Sequence, residues 1–249
     1  MTAPALYLTR TTCRVCGGAF DPLLDLGSLV LSDFLAPTAP DPPAVPLDLV
    51  VCQACELVQL RHTVENDRLY RHYWYQSSVN ESMIAELRDV VQTALDLVGP
   101  LTRRDVVLDI GANDGTLLRL YGDCLAGAVP LRIAVEPSTT FADRLADHAD
   151  IVLETYFPSQ STYGMPAKSV AIISSVAMFY DLEDPVSFVR EVDRLLTDAG
   201  VWIVQMQDLG QMVAATGYDN CCFEHRCYYS TKTFRQLLRD TNLSLTRIQ

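Results

Sequence analysis

An apolar run that passes straight into a glycine turn constrains the fold of this chain more than any other feature. Asp105 to Ile110 (Asp105-Val106-Val107-Leu108-Asp109-Ile110) leads into Gly111-Ala112-Asn113-Asp114-Gly115-Thr116. The β-branched residues suit a buried, pleated strand. The glycines let the backbone turn sharply and approach a ligand where the next helix begins. Similar short runs recur at Leu131 to Val135, Ile151 to Glu154, Val170 to Ser174 and Val201 to Met206, with helical segments between them. The clearest helix opens at Asp184-Pro185 and runs to near Gly200, with Val186, Val189, Val192, Leu195 and Leu196 on one face. Strand–helix alternation of this kind predicts an α/β fold with a doubly wound, mostly parallel sheet.

The chemistry of the turn narrows the ligand. Its pattern is GxNxG and lacks the third glycine of the dinucleotide fingerprint, which counts against a nicotinamide enzyme. Asp109 at the strand end and the polar Asn113-Asp114 would repel a pyrophosphate, but they can hydrogen-bond an ammonium group and hydroxyls. Glu136 lies 25 residues beyond Gly111, at the end of the next strand. A carboxylate there can accept both hydroxyls of a ribose. S-adenosylmethionine (SAM) presents these groups: a methionyl ammonium, a ribose diol and a sulfonium cation. Asp109, Gly111, Asn113, Gly115 and Glu136 are the candidate cofactor residues read from this pattern.

Two CxxC pairs, Cys13-Arg14-Val15-Cys16 and Cys52-Gln53-Ala54-Cys55, stand 35 residues apart. Each places two thiolates on one side of a tight turn, and together they complete a closed S₄ site that suits Zn²⁺. With no open coordination position, the metal is expected to be structural. A thioredoxin-like reading would instead place a single such pair beside a βαβ unit. Cys124, Cys221, Cys222 and Cys227 read as small buried hydrophobes, and His62, His72 and His148 as surface or packing residues.

Three zones follow. Residues 1–62 hold the cysteine pairs and most of the prolines, including the run Ala36 to Pro46, and read as a loop-rich zinc-binding domain. Residues 63–100 read as a helical connector contributing to the SAM site. Ser78-Val79-Asn80-Glu81 has the form of a capping box, followed by a helical apolar repeat from Met83 to Val98, and Gly99-Pro100 is a stop. Residues 101–249 form the Rossmann-like domain with the start of a catalytic C-terminal segment. The aromatics Tyr70, Tyr73, Trp74 and Tyr75 suit either core packing or a lid. A formal net charge of -12 disfavours a nucleic-acid partner. Met1 to Thr12 has no long apolar segment of the signal-peptide kind, and no apolar run is long enough to span a bilayer, so the expected location is cytoplasmic.

Taken together, these stretches resemble the nucleotide-sugar 3-C-methyltransferases of deoxysugar biosynthesis, which join a zinc-binding N-terminal domain to a SAM-binding Rossmann domain and a C-terminal domain. The matching stretches are Cys13 to Cys16, Leu24-Asp25-Leu26-Gly27, Pro46 to Leu60, Tyr73 to Glu81, Leu108 to Leu118 and Val135-Glu136-Pro137. Phe179 to Pro185 and Tyr218 to Tyr229 complete the set. The resemblance implies a class I SAM-dependent methyltransferase and adds Tyr75, Ser78, Pro137 and Ala177 to the cofactor residues. It also implies that His225 acts as general base, with Glu224 orienting it or holding a substrate hydroxyl. The expected acceptor is a nucleotide sugar or related small molecule of secondary metabolism.

Phe223, Arg226 and Cys227 depart from the family pattern around that Glu-His pair. Two further readings therefore stand beside the first. One is a divergent SAM enzyme with another small acceptor or non-methyl-transfer chemistry; the other is a SAM-binding partner protein with little activity. Family members continue well beyond residue 249, so a missing C-terminal domain or a partner chain is expected to complete the acceptor site. The state could be monomer or dimer. Leu245 to Gln249 reads as the start of another strand.

Overall fold

The computed structural model describes residues 6–31, 38, 42–125 and 129–249; part of the Ala36–Pro46 run and the extreme N-terminus lie outside them. In chain order the strands are β1 (Tyr7–Thr9), β2 (Phe20–Val30), β3 (Ala44–Cys52), β4 (Val58–Leu60), β5 (His62–Val64), β6 (Val106–Ile110), β7 (Leu131–Val135), β8 (Ile151–Leu153), β9 (Val170–Val176), β10 (Leu196–Gln205) and β11 (Cys227–Tyr228). The helices are α1 (Asn66–Tyr70), α2 (Glu81–Val98), α3 (Thr116–Cys124), α4 (Ala142–His148), α5 (Gln160–Tyr163), α6 (Pro185–Leu195), α7 (Leu209–Ala214) and α8 (Thr231–Leu237).

The chain packs into two compact units built from non-consecutive segments. The first comprises Met1–Leu69, Tyr180–Val186 and Gln207–Gln249; the second comprises Tyr70–Phe179 and Ser187–Met206. The three consecutive zones read from the sequence miss this interleaving. Its physical cause is one ladder: β11 pairs antiparallel with β4, Cys227 opposite Gln59 and Tyr228 opposite Val58, which draws the late segment into the first unit.

The first unit is an antiparallel sheet in the order β11-β4-β3-β2, with a separate β1-β5 ribbon. The loop-rich expectation for residues 1–62 is thus corrected. Along β3 the inward positions Val45, Leu47 and Leu49 are buried and alternate with more exposed neighbours, the period of a half-buried strand. These residues cluster with Leu60, Val64, Met212, Phe223 and Tyr228.

The second unit carries the expected parallel sheet, ordered β10-β9-β6-β7-β8, with β6 at its centre. On α2, Leu87, Val91 and Ala94 form the buried stripe and join Leu117, Leu118, Leu120, Val107 and Ile172 in one apolar cluster. Gly99 ends α2 at φ 84°, its N–H donating to the Leu95 carbonyl. The N-terminus of α2 departs from the expected capping box. Asn80 is the cap, its side chain accepting from the Ser82 amide, because the Ser78 amide is committed to Asp114. Likewise α6 stops at Leu195, since Leu196 already pairs with Val170 across the parallel ladder. Leu245 to Gln249 forms no strand.

Candidate functional site

In the first unit the four Sγ atoms of Cys13, Cys16, Cys52 and Cys55 lie within 4.8 Å of one another. Cys13 and Cys55 are 3.5 Å apart, and Cys16 and Cys52 are 3.4 Å apart. A tetrahedral site with Zn–S bonds of about 2.3 Å has edges of about 3.8 Å, so the donor set and its spacing fit Zn²⁺. The knuckles are shaped by their own backbone: the Val15 amide donates to Cys13 Sγ and the Cys55 amide to Cys52 Sγ. No other metal-capable cluster of His, Cys, Asp or Glu occurs among the described residues.

Arg14, between the first two ligands, has a fully buried side chain. Its guanidinium donates to Gln59 Oε1 (3.1 Å), the Leu60 carbonyl, Thr63 Oγ1 (2.6 Å) and Glu183 Oε2 (3.1 Å). Glu183 also accepts from Arg10 and from Thr63 Oγ1. Burial opposes ionisation of Glu183, but the charges of Arg14 and Arg10 and the Thr63 bond outweigh it and hold its pKa below the usual value.

His225 lies in the same unit, lining a narrow cleft with Tyr180, Gln207, Leu209, Met212, Cys227 and Tyr228. Its Nδ1 is 2.9 Å from the Asn220 carbonyl oxygen. A carbonyl can only accept, so Nδ1 carries the proton and Nε2 keeps its lone pair. The Tyr180 ring meets the imidazole edge-on at 4.5 Å and 70°. Burial lowers the His225 pKa, outweighing the opposite pull of the Asn220 bond and the Glu224 charge, so the ring is neutral at pH 7. The three departures from the family pattern serve the packing: Phe223, Arg226 and Cys227 are all buried. Phe223 belongs to the apolar cluster, and Arg226 Nη2 donates to the Val64 carbonyl.

The second unit brings Tyr75, Ser78, Asp109, Gly111, Asn113, Gly115, Glu136, Pro137 and Ala177 to one end of the parallel sheet. In chain order β6, β7 and β8 run outward one way, while β9 and β10 lie on the other side of β6. The crevice at the carboxyl ends of β6 and β9 is therefore the topological switch point, where open α/β sheets bind ligands. Gly111 sits there at φ 75°, and a Cβ on it would meet Met178 Cγ at 3.0 Å. Gly115 caps α3 at φ 79°. Ala177, past the end of β9, has φ 52° and donates its N–H to the Gln205 carbonyl.

A hydrogen-bond web ties this loop to two neighbouring segments. Glu136 Oε2 accepts from the Asn113 amide (2.8 Å) and Oε1 from the Ser138 amide (2.7 Å). The Asn113 side chain donates to the Tyr75 carbonyl and accepts from the Ser77 amide, while Asp114 accepts from the Ser78 amide. Pro137 is held through its carbonyl by Arg71. Asp109 is buried, with Ser174 Oγ donating to it at 2.6 Å. Burial and the nearby Glu136 charge push its pKa up to about 7 despite that bond. Burial raises Glu136 too, against its two amide donors. Carboxyls clustered around an open glycine backbone fit a ligand bearing an ammonium and a diol, as SAM does.

Ser174, Tyr180, Glu183 and Arg14 were not singled out from the sequence as site residues. A serine pair closing the apolar run Val170 to Ile173 was a usable signal for Ser174, because polar residues at a strand's carboxyl end often face a ligand. Arg14 and Glu183 are 169 positions apart, and nothing local marks them as partners.

The second unit has the class I SAM methyltransferase fold, and the chain belongs to the family described as "Methyltransferase domain", which matches residues 73–248. Residues 13–70 match the family described as "Putative zinc binding domain". The chain is similar to the C-methyltransferase NovU of Streptomyces niveus, at 28% identity over 244 residues covering 95% of this chain and 56% of that protein. It thus spans little more than half the length of that relative. Among solved structures it is similar to the YcgJ protein of Bacillus subtilis (TM-score 0.51, 18% identity, 66% of this chain and 70% of that one). A second is the plantazolicin methyltransferase BpumL in complex with SAH (TM-score 0.51, 12% identity, 64% and 63%). The family resemblance and the Rossmann-like class I SAM methyltransferase fold expected from the sequence are both borne out.

Proposed function

We propose that this protein is a SAM-dependent C-methyltransferase acting on a keto-deoxysugar nucleotide or closely related small molecule, with His225 as general base. The observation that carries the reading is the imidazole itself. It is neutral, its Nδ1–H is committed to the Asn220 carbonyl, which leaves the Nε2 lone pair unprotonated, and the residue lines a cleft. A base so prepared can take a proton from carbon α to a carbonyl, whose acidity the adjacent C=O raises. The carbon left behind is the nucleophile, and the proton resides on Nε2. Glu224, next in the chain, favours the resulting imidazolium through its charge.

Bound SAM supplies an electrophilic methyl group. Asp109 and Glu136, with the Gly111–Gly115 backbone, would hold it, and Tyr75, Ser78, Pro137 and Ala177 would border it. Methyl transfer would require the acceptor carbon and the methyl to be brought in line, and such positioning is a general source of rate acceleration. The zinc stays outside the reaction. The sugar acceptor rests on the resemblance of Phe179–Pro185 and Tyr218–Tyr229 to sugar C-methyltransferases and on the name of the NovU relative. Among the described residues no helix is long and apolar enough to cross a membrane.

Incubation with SAM and a panel of nucleotide keto-deoxysugars, followed by mass analysis of all products, tests the reading. A C-methylated sugar nucleotide is expected, lost in His225→Ala while calorimetric SAM binding persists. Turnover retained in His225→Ala removes the histidine from the mechanism. SAM breakdown without an acceptor, or tight SAM binding with no product, overturns the assignment in favour of a divergent enzyme or a binding partner.

A further inference from the structure

Two chains of contact lead from the zinc knuckle to His225, and both begin at Arg14. Along the first, the Arg14 guanidinium pairs with Glu183 at 3.1 Å, and Glu183 also accepts from Thr63 at 2.7 Å. Glu183 sits three residues after Tyr180, whose ring packs edge-on against His225. Along the second, the Arg14 amide and guanidinium both donate to Gln59 Oε1 at 3.1 Å. Gln59 lies on β4 opposite Cys227, and the next residue, Leu60, donates its amide to the Arg226 carbonyl at 2.9 Å. The imidazole thus meets Tyr180 edge-on, is hydrogen-bonded through Nδ1 to the Asn220 carbonyl, and lies two residues before β11. Cys13 and Cys16 flank Arg14 and fix its backbone.

We propose that Arg14 and Glu183 are positioning residues for His225, so that the zinc knuckle sets the orientation of the base as well as stabilising its unit. The proposal rests on the reading of His225 as general base, but its test does not. A guanidinium buried this completely cannot move without leaving its charge unpaired, which is strongly unfavourable. That gives the Arg14–Glu183 contact the stiffness a positioning device needs. The exposed pair Lys232–Glu56, also in this unit, lacks that stiffness. The groups facing the imidazole are Tyr180, Tyr228, Cys227 and Glu224, with Cys222 nearby. Glu224 is the charged group among them, and its pull on the ring, toward the imidazolium, is outweighed by burial.

The readout is the titration of the His225 imidazole by NMR, its signal assigned by its absence in His225→Ala. In the parent protein it should titrate below the ordinary histidine range of about 6.5. In Glu183→Ala and in Glu183→Gln, the segment that carries Tyr180 loses its ion pair with Arg14, water is expected to reach the ring, and the midpoint should rise toward that value. Two controls separate positioning from mere stability: Glu56→Gln, and the core variant Leu237→Ala on α8, which weakens the same unit at a buried residue outside both routes. Both should leave the midpoint in place. Turnover in the Glu183 variants should fall roughly 10-fold to 100-fold with the KM for SAM unchanged. A His225 midpoint unmoved in Glu183→Gln at full zinc content overturns the proposal, as does an equal movement in Leu237→Ala. Should Glu183→Ala fail to fold, Glu183→Gln alone decides. A protein that methylates nothing refutes the proposed function while leaving the titration result to stand.

Discussion

The two units solve the problem of staying folded by opposite means. In the first, Arg14 and Arg226 are buried and Glu183 half-buried in a unit that carries a four-thiolate site, beside a modest apolar cluster. In the second, α2, α3 and the parallel sheet bury leucines, valines and isoleucines almost continuously; of its buried carboxyls, Asp109, Asp114 and Glu136 gather where a ligand is expected, and Glu191 on α6 pairs with Arg194. A unit held by a metal and paired charges should fail abruptly when one member is removed. A unit held by distributed packing should lose stability in graded steps.

Zinc removal is the strongest way to break this contrast. Structural zinc contributes on the order of 10 kcal/mol to folding small sites, so chelation or Cys52→Ser should unfold the first unit. Both tryptophans, Trp74 and Trp202, belong to the second unit, and Trp202 packs against Phe179 and Phe188. Tryptophan emission should therefore persist while proteolysis opens residues 6–69. Simultaneous loss of both signals would erase the distinction. In the second unit, Leu120→Ala should cost about 2–5 kcal/mol in urea unfolding followed by that emission, with zinc content unchanged. Gly111→Ala should be milder for stability, about 1–2 kcal/mol for a side chain in left-handed backbone. It should nevertheless weaken calorimetric SAM binding at least tenfold, because its Cβ would displace Met178.

The smallest expected effect is also the sharpest, because pH acts on the units in opposite directions. Asp109 has a folded-state pKa raised to about 7. The folded second unit thus binds a proton more tightly than the unfolded chain, and stability is lost as pH rises from the ordinary carboxylate range through 7. In the first unit His225 and Glu183 are both lowered. Their contributions are present at high pH and lost as pH falls, below about 6.5 for the histidine and below the ordinary glutamate value for Glu183. Urea midpoints from tryptophan emission should be higher at pH 6 than at pH 8, and Asp109→Asn should flatten that difference. A parent midpoint independent of pH would contradict the buried, half-protonated carboxyl.

Which parts of this were legible in the sequence follows from the range of the interactions. The strand–turn–helix at Val106 to Thr116, the parallel alternation and the two cysteine knuckles are local patterns, and they appear where the residues indicated. The β-structure of residues 44–52 was also written locally, in the alternation Val45, Leu47, Leu49, but the prolines around it masked the period. What could not be read was long-range. Neither the pairing of β11 with β4 nor the meeting of Arg14 with Glu183 leaves a trace in nearby residues. Phe223 and Arg226, departures when set against a family motif, prove to be interior residues whose partners lie on strands more than 150 positions earlier.

The interleaving of the first unit has a consequence for biosynthesis. Its N-terminal strands emerge from the ribosome first, yet the core they need includes Met212, Phe223 and Tyr228. At about 5–20 residues per second, the 173 positions from Cys55 to Tyr228 take about 9–35 s to translate. β4 has no β11 to pair with until that interval ends, by which time all five strands of the parallel sheet are made. The metal ligands, in contrast, are complete at Cys55. Early zinc capture would tether the waiting strands during synthesis, so a cell short of zinc would be expected to lose this protein as it is made, before any finished molecule could unfold.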